Sequence, residues 1–227
     1  MIGLKALLFD LDGTLIDSTD DIADSVNYAL KEIGLEPRSR EEVRYFIGDG
    51  VMPLIERAVG TKDSPLISRC AELFRSYYAA HCIDKSFFYD GVFETVEKLK
   101  KIYKTAIITN KDETFSRLIL QGLKAEHLFD ALIGGNTLNE KKPSTISITY
   151  LSKQWEIDSR SFMMIGDHIT DLELARRACI PGIFCKFGIG RKENLPSYRD
   201  INHFHELIDI TTNFNYQHFI DENINTG

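Results

Sequence analysis

The sequence is poor in cysteine, and its cysteines are too widely separated for two common kinds of site. The four residues show no CxxC spacing, so we expect neither a zinc site nor a redox-active dithiol. Buried, reduced thiols are the better interpretation, and they are typical of a cytoplasmic protein. The four positions are Cys70, Cys82, Cys179 and Cys185.

Long hydrophobic runs are also missing. No stretch approaches the roughly 20 consecutive apolar residues that cross a bilayer. Two carboxylates, Asp10 and Asp12, interrupt the first apolar stretch, and the segment Met1–Lys5 lacks the arrangement of a signal peptide. We therefore expect no membrane partner, no export and a cytoplasmic location.

Positive charge is scarce. The 227 residues include 34 acidic and 27 basic side chains, which gives a formal net charge of −7. No block of lysine or arginine offsets this balance, so we do not expect binding to nucleic acid. The length fits one large domain, or a domain with a smaller companion, and either buries a substantial core.

Several short apolar runs, each closed by turn-forming residues, predict buried strands. Between them, apolar side chains recur at helical spacing. Strands that alternate with helices over Lys104–Asp209 predict an α/β fold with a parallel sheet covered on both faces. The predicted strands are Lys5–Asp10, Thr105–Thr109, Ala131–Gly134, Phe162–Ile165 and Gly182–Cys185.

The stretch from Asp17 to Asp90 contains no clear strand and instead predicts four amphipathic helices. The first carries apolar residues from Ile22 to Ile33, with Ser18 and Asp21 as candidate caps. The others begin near Ser39, after Gly50 and at Ser64. We therefore predict a helical cap domain over residues 17–89, inserted into a core of residues 1–16 and 90–227, with a frayed tail after Thr212.

The segment Phe9–Leu15, with the sequence FDLDGTL, is the most informative part of the chain. Side chains two residues apart in a strand point to the same side, so Asp10 and Asp12 are expected to project together. Adjacent carboxylates repel unless a cation or a shared proton lies between them, and oxygen ligands favour Mg²⁺. A plain turn that closes the strand is the alternative for these residues taken alone.

Together with three later segments, FDLDGTL resembles the motifs of the haloacid dehalogenase superfamily, in order and over nearly the whole chain. The resemblance implies a Rossmann-like core with a helical cap and a phosphatase that uses an aspartyl-phosphate intermediate and Mg²⁺. The later segments are the strand end Thr109–Asn110, Lys142–Pro143 before a helix, and Gly166–Asp171 with its GDxxxD spacing.

The same resemblance implies a role for each residue. Asp10 resembles, by its place in the first motif, the nucleophile of the family, and Asp12 resembles its general acid and base. Thr109, Asn110 and Lys142 are similar to the groups that bind the phosphoryl oxygens. Asp10, Asp12 (through its carbonyl) and Asp167 resemble the metal ligands, and Asp171 a carboxylate that orients the lysine or the metal shell.

Three alternatives stay open at these motifs. Lys141 is a second candidate for the conserved lysine, beside Lys142. His168 stands where the family more often has a small residue, and it is either an extra acid or base or a tolerated variant. Pro143 is followed by Ser144-Thr145 where close relatives have the KPxP pattern, so the start of the next helix is uncertain.

The substrate is inferred from the resemblance alone. Asp12 argues against dehalogenation, because halide leaves without a proton. The segments DLDGTLIDS, IGDG, TNK and KKP are most similar to those of phosphoglycolate phosphatases, which implies a small phosphorylated substrate such as 2-phosphoglycolate. We expect the cap loop Gly48–Gly50 to lie over it, although a plain turn is the alternative. A β-phosphoglucomutase-like mutase, a pyrophosphatase, a sugar or nucleotide phosphatase, a non-catalytic binding module, and either a monomer or a homodimer remain open.

Overall fold

The fold is built around one parallel sheet. The computed structural model describes residues 3–219 of the chain. Its strands are β1 (Ala6–Phe9), β2 (Ile16–Asp17), β3 (Phe87–Phe88), β4 (Lys104–Ile108), β5 (Ala131–Ile133), β6 (Phe162–Gly166), β7 (Gly182–Cys185) and β8 (Arg199–Ile201). Six of these form a parallel sheet in the order β5-β4-β1-β6-β7-β8.

Nine helices surround this sheet or form the inserted segment within the described residues. They are α1 (Thr19–Glu32), α2 (Arg40–Phe46), α3 (Val51–Val59), α4 (Ser64–His81), α5 (Val92–Leu99), α6 (Glu113–Gly122), α7 (Ile146–Trp155), α8 (Ile169–Arg177) and α9 (Glu206–Thr212). The predicted α/β class with a Rossmann-like parallel sheet and inserted helices is confirmed.

Strand β1 lies at the centre of the sheet because all four of its side chains are apolar. It pairs with β4 on one side and β6 on the other. Leu7 and Phe9 pack into one buried cluster, while Ala6 and Leu8 pack into a second one. Both faces of the sheet are therefore covered, and the carboxyl ends of β1, β4 and β6 meet at one edge.

The inserted segment leaves and rejoins the core through a short antiparallel pair. Strand β2 pairs with β3, so that Ile16 is opposite Phe88 and Asp17 is opposite Phe87. Helices α1 to α4 lie between these two strands and pack on one another through residues such as Val26, Ile55 and Phe74. The predicted domain boundaries at 16/17 and 89/90 remain a prediction.

Three strands were not predicted: β2, β3 and β8. Strand β3 and the second residue of β2 lie inside the segment expected to lack strands, so that expectation is wrong at both of its ends. Strand β8 is short, and its sequence Arg-Asp-Ile leaves two of three side chains exposed at the edge of the sheet. None of the three strands is long enough to show the compact apolar run on which the prediction depended.

The predicted cap of the first helix is also wrong. Ser18 precedes α1, but its side chain makes no capping hydrogen bond. Its hydroxyl donates instead to Asp12 Oδ1 at 2.5 Å. The carboxylate of Asp21 accepts the backbone N–H groups of Lys85 and Ser86. Ser18 therefore ties the start of the helical segment to the core, and Asp21 ties it to the end of the same segment.

The predictions for the cysteines and for the C-terminal tail are each confirmed only in part. Three cysteines are buried as expected, but Cys179 is exposed, and all four are free thiols. In the tail, Phe214 and Phe219 contact Tyr198, so this part is not frayed, while residues 220–227 lie outside the described part of the chain. Over residues 3–219, no helix combines the length and the apolar character that a membrane span requires.

Candidate active site

Asp10 lies directly after β1, where the chain leaves the sheet. It is only 6% exposed, and its Oδ1 accepts the backbone N–H of Leu11 at 2.8 Å. Burial raises the pKa of Asp10 to about 6, and the Lys142 ammonium opposes this rise. The carboxylate is therefore held in a place that favours its neutral form unless a cation compensates its charge.

Lys142 supplies part of that compensation. Its ammonium lies 2.7 Å from Asp10 Oδ1 and 2.7 Å from Asp171 Oδ1. Burial works against the charged amine, yet the two carboxylates outweigh burial and raise the pKa of Lys142. The neighbouring Lys141 points elsewhere and donates to the Asp49 carbonyl in the inserted segment at 2.5 Å. Of the two candidate lysines, only Lys142 contacts Asp10.

Asp167 follows β6 and lies beside the first motif. Its Oδ1 accepts the Thr14 hydroxyl at 2.9 Å, and its Oδ2 accepts the backbone N–H groups of Ile189 and Gly190 at 2.9 and 2.7 Å. Gly13 has a φ of +85°, and a Cβ there would lie 2.1 Å from Asp167 Oδ2. The close approach of the two motif loops therefore requires glycine.

These carboxylates form a group that fits a divalent cation. Asp10, Asp167 and Asp171 each offer an oxygen, and the three oxygens lie within 4.8 Å of one another. Burial, together with the charges of Asp10 and Asp171, raises the pKa of Asp167 to about 8. A bound cation would relieve this repulsion, and three carboxylate oxygens suit Mg²⁺. The side chain of Asp12 is not in this group, so its predicted contribution through the carbonyl stays a prediction.

The carboxylate of Asp12 is held by a lysine that the sequence analysis did not assign. Lys111 Nζ lies 2.9 Å from Oδ1 and 2.8 Å from Oδ2 of Asp12. Both side chains are nearly buried. Burial opposes the charged form of Lys111, but Asp12 and Tyr78 raise its pKa. The tripeptide Thr109-Asn110-Lys111 was noted only as a family resemblance, and its spacing gave no sign of this ion pair.

Thr109 and Asn110 lie just beyond β4, at the same edge of the sheet, and both are buried. The Thr109 hydroxyl accepts the Lys111 N–H at 3.3 Å. The Asn110 amide donates to the carbonyls of Gly48 at 3.0 Å and of Lys142 at 3.3 Å. The predicted loop Gly48–Gly50 is thus brought against the predicted phosphoryl-binding residues.

A cavity separates the carboxylates from the inserted helices. Its walls come from both parts of the chain, and Lys111 is the one basic residue among the described residues that line it. Asp10, Asp12, Thr109 and Asn110 form the core side. The other lining residues are Ile22, Ile47, Gly48, Gly50, Val51, Leu54, Phe74, Tyr78 and Phe115.

His168 begins α8 and orients Asp171. Its backbone N–H donates to Asp171 Oδ2 at 3.0 Å, while its side chain accepts from the Thr170 N–H. Burial lowers the pKa of His168. Its ring lies under the inserted loop, since a Cβ on Gly48 would be 2.8 Å from Nε2. This geometry supports a helix cap more than an additional acid or base.

Comparison with known proteins matches this arrangement to one family. Residues 7–185 match the haloacid dehalogenase-like hydrolase family. A phosphoglycolate phosphatase from Colwellia psychrerythraea is 35% identical over 202 residues, which cover 86% of this chain and 89% of that protein. A phosphoglycolate phosphatase from Chromobacterium violaceum is 32% identical over 216 residues, covering 92% and 97%.

A solved structure agrees with these sequences. The crystal structure of a predicted phosphoglycolate phosphatase from Haemophilus somnus has a TM-score of 0.86 and 30% identity, and the match covers 92% of this chain and 98% of that chain. The resemblance drawn from the four motifs is confirmed. The chain belongs to the haloacid dehalogenase-like hydrolase family.

Proposed function

We propose that this protein is a Mg²⁺-dependent phosphomonoesterase in which Asp10 is the nucleophile. One observation carries the proposal: the Lys142 ammonium lies 2.7 Å from both Asp10 and Asp171, while Asp167 completes a group of three buried carboxylates. The protein has a net negative charge. This arrangement supplies the local positive charge and the metal ligands that an anionic ester needs to approach an anionic nucleophile.

In the proposed first step, an Asp10 oxygen forms a bond to phosphorus while the bond from phosphorus to the ester oxygen breaks. Asp12 gives its proton to the departing alkoxide. The Thr109 hydroxyl and the Asn110 N–H donate to the phosphoryl oxygens, and Lys142 balances the spreading charge.

In the second step, Asp12 takes a proton from water, and the water oxygen attacks phosphorus. Phosphate leaves and the Asp10 carboxylate is restored. Asp10 and Asp167, with the Asp12 carbonyl, would hold Mg²⁺, which supplies positive charge to the phosphoryl oxygens when bound. Asp171 orients Lys142 through their 2.7 Å ion pair.

The proposed substrate is a small phosphorylated acid, with 2-phosphoglycolate first. Two named relatives that match most of the chain are phosphoglycolate phosphatases. The inserted helices, proposed as a cap over residues 17–89, line one side of the cavity with apolar side chains, which would limit access of water to a bound substrate. We further propose a cytoplasmic enzyme that acts as a monomer or homodimer.

The test is phosphate release from a panel of phosphorylated acids, sugars, nucleotides and pyrophosphate, with Mg²⁺. We expect turnover of 2-phosphoglycolate, and we expect Asp10→Asn to lower kcat by about 10⁴-fold or more, because the nucleophile is lost. Retained turnover in that variant would contradict the assignment of Asp10. Conversion of a hexose 1-phosphate to its 6-phosphate without phosphate release would instead identify a mutase.

A further inference from the structure

Lys111 is a buried cation for which the proposed phosphoryl transfer has no use. Its ammonium does not contact Asp10, Asp167 or Asp171; within residues 3–219 its ion pair is with Asp12. The other side of the ammonium lies over the Tyr78 ring, 4.8 Å from the centroid. Lys111 comes from the core and Tyr78 from α4, so the ammonium lies where the two parts of the chain meet.

We propose that Lys111 and the Tyr78 hydroxyl together bind a second anionic group of the substrate, a carboxylate, and so select small phosphorylated carboxylic acids. The proposal rests on the proposed function, because it takes Asp12 as the acid that faces the leaving oxygen. It assigns to Lys111 a binding role that none of the four motifs contains.

The ion pair with Asp12 brings the Lys111 ammonium close to the leaving oxygen of the substrate. Lys111 Nζ is within 2.9 Å of both Asp12 oxygens. A leaving oxygen protonated by Asp12 lies about 2.7 Å from one of these oxygens. In a phosphorylated 2-hydroxy acid, the carboxylate carbon is separated from that leaving oxygen by one carbon atom. A substrate carboxylate can therefore come within hydrogen-bonding reach of Nζ when it is turned toward Lys111.

The Lys111 ammonium has more N–H donors than its two contacts with Asp12 use. A lysine ammonium has three N–H donors, and the two Asp12 oxygens take up two of them. The third lies on the side of Tyr78, whose hydroxyl is not at full hydrogen-bonding distance, so a ligand there can accept it. The flexible stem of Lys111 lets the ammonium turn toward a new carboxylate while it keeps contact with the first.

The buried hydroxyl of Tyr78 also favours a ligand beside Lys111. The Tyr78 side chain is 1% exposed and lines the cavity. Its hydroxyl has no partner at full hydrogen-bonding distance among the described residues, although the Lys111 ammonium is near enough to oppose the rise that burial causes in the pKa of Tyr78. A buried hydroxyl without a partner costs about 1–3 kcal/mol. Because this hydroxyl lies beside the Lys111 ammonium, a carboxylate bound there would accept hydrogen bonds from both.

The remaining walls of the cavity argue against larger substrates. Beyond the motif residues, the wall consists mainly of Ile22, Leu54, Phe74 and Phe115, which offer no polar side-chain group. The several hydroxyls of a sugar would lose water there without gaining partners. One cation, one hydroxyl and an apolar wall fit a short acid.

The test compares two substrates in Lys111→Met, which removes the charge and keeps a chain of similar volume. The substrates are 2-phosphoglycolate and ethyl phosphate, which differ in the carboxylate. We expect the preference for 2-phosphoglycolate, measured as the ratio of kcat/KM values, to fall by about 10- to 100-fold, the range of a charge-assisted hydrogen bond. Most of the change should appear in KM for 2-phosphoglycolate.

Two further variants keep the test decisive. Tyr78→Phe removes only the hydroxyl, and we expect the same ratio to fall by about 3- to 10-fold. Lys111→Arg keeps the charge and should restore part of the preference. Lys153→Met is the matched control, because it removes the same charge from an exposed position on α7 and should leave the ratio unchanged.

The outcomes separate this proposal from the proposed function. If Lys111→Met lowers kcat equally for both substrates, the lysine only positions Asp12, and the subsite is overturned. An unchanged ratio in Tyr78→Phe overturns the hydroxyl's part, including when Lys111→Met fails to fold. If the unaltered protein hydrolyses neither substrate, the proposed function itself fails. Turnover of both substrates without a preference contradicts only the subsite.

Discussion

Two buried lysines lie at opposite ends of the candidate active site, and they differ in the number of carboxylates that each contacts. At the phosphoryl end, Lys142 is shared between Asp10 and Asp171. At the proposed leaving-group end, Lys111 forms its ion pair within residues 3–219 with Asp12, and it lies beside the Tyr78 ring. On the proposed assignments, the first end carries out the phosphoryl transfer, and the second has one donor left with which to select a substrate.

Charge balance accounts for this difference. Four carboxylates line the site against two lysines, so the site lacks two positive charges, which is the charge of one Mg²⁺. The missing charge is concentrated at the phosphoryl end, where burial and neighbouring carboxylates raise the pKa of Asp167. This excess of negative charge supports the proposed Mg²⁺ site at the phosphoryl end.

Asp12 joins the two ends, and its replacement should separate the two steps of the reaction. We expect Asp12→Asn to lower steady-state kcat by about 10²- to 10⁴-fold, because proton transfer to the alkoxide and from water is lost. With an aryl phosphate, whose leaving group needs no proton, a rapid first release of the phenol should persist. Stopped-flow absorbance measures both phases.

The control for this prediction is the same burst measured in the unaltered protein. Loss of the burst along with the steady state would mean that Asp12 acts on the attack of Asp10 as well. In that case, the division between a phosphoryl end and a leaving-group end would not hold at Asp12.

The neighbouring lysines of the third motif offer a sharper contrast. Lys142→Met removes the cation that pairs with two buried carboxylates, so we expect the free energy of unfolding to fall by about 3–5 kcal/mol without metal. Lys141→Met removes one hydrogen bond to the Asp49 carbonyl and should change stability by about 1 kcal/mol or less. Urea unfolding of both variants measures the difference. Equal effects would contradict the special position of Lys142.

The pH dependence of the stabilisation by Mg²⁺ should reveal the excess negative charge of the buried carboxylates. The folded-state pKa values of Asp10 and Asp167, about 6 and about 8, lie above the ordinary value of 3.8. The metal-free folded state therefore holds protons more tightly than the unfolded chain, and its stability falls as pH rises from about 4 to about 8. Mg²⁺ replaces those protons, so the stabilisation by Mg²⁺ should grow over the same range.

At pH 8 and about 100 times its Kd, Mg²⁺ should add about 2.7 kcal/mol. For a chain of this length, that corresponds to a rise in Tm of about 5–10 °C. Thermal unfolding with and without Mg²⁺ at pH 6 and pH 8 measures the effect, and Asp167→Asn is the control that should abolish it. A larger Mg²⁺ effect at pH 6 than at pH 8 would contradict the assigned direction.

The phosphoryl end could be predicted from the sequence because Asp10 and Asp167 directly follow strands and Lys142 lies in the loop before a helix. Alternating side chains along β1 and the order of the motifs placed Asp10, Lys142 and Asp167 at one edge of a parallel sheet. Resemblance to the family supplied their roles. In the same way, apolar runs located the buried strands of the sheet and missed β2, β3 and β8, which span only two or three residues each.

The leaving-group end could not be predicted, because its contacts join distant parts of the chain. Lys111 and Asp12 are 99 positions apart, and Tyr78 reaches them from an inserted helix. No periodicity or spacing encodes such a meeting. Ser18 shows the same limit: local pattern favoured a helix cap, while the folded chain directs its hydroxyl to Asp12.

Acid quenching during turnover of an aryl phosphate, followed by peptide mass spectrometry, tests the central assignment most directly. We expect the mass of one phosphoryl group on the peptide that contains Asp10, and its accumulation in Asp12→Asn, where hydrolysis of the intermediate is slow. The Asp10→Asn variant should carry none. A phosphoryl group on a different residue, or turnover that passes through no phosphorylated enzyme, would contradict the account.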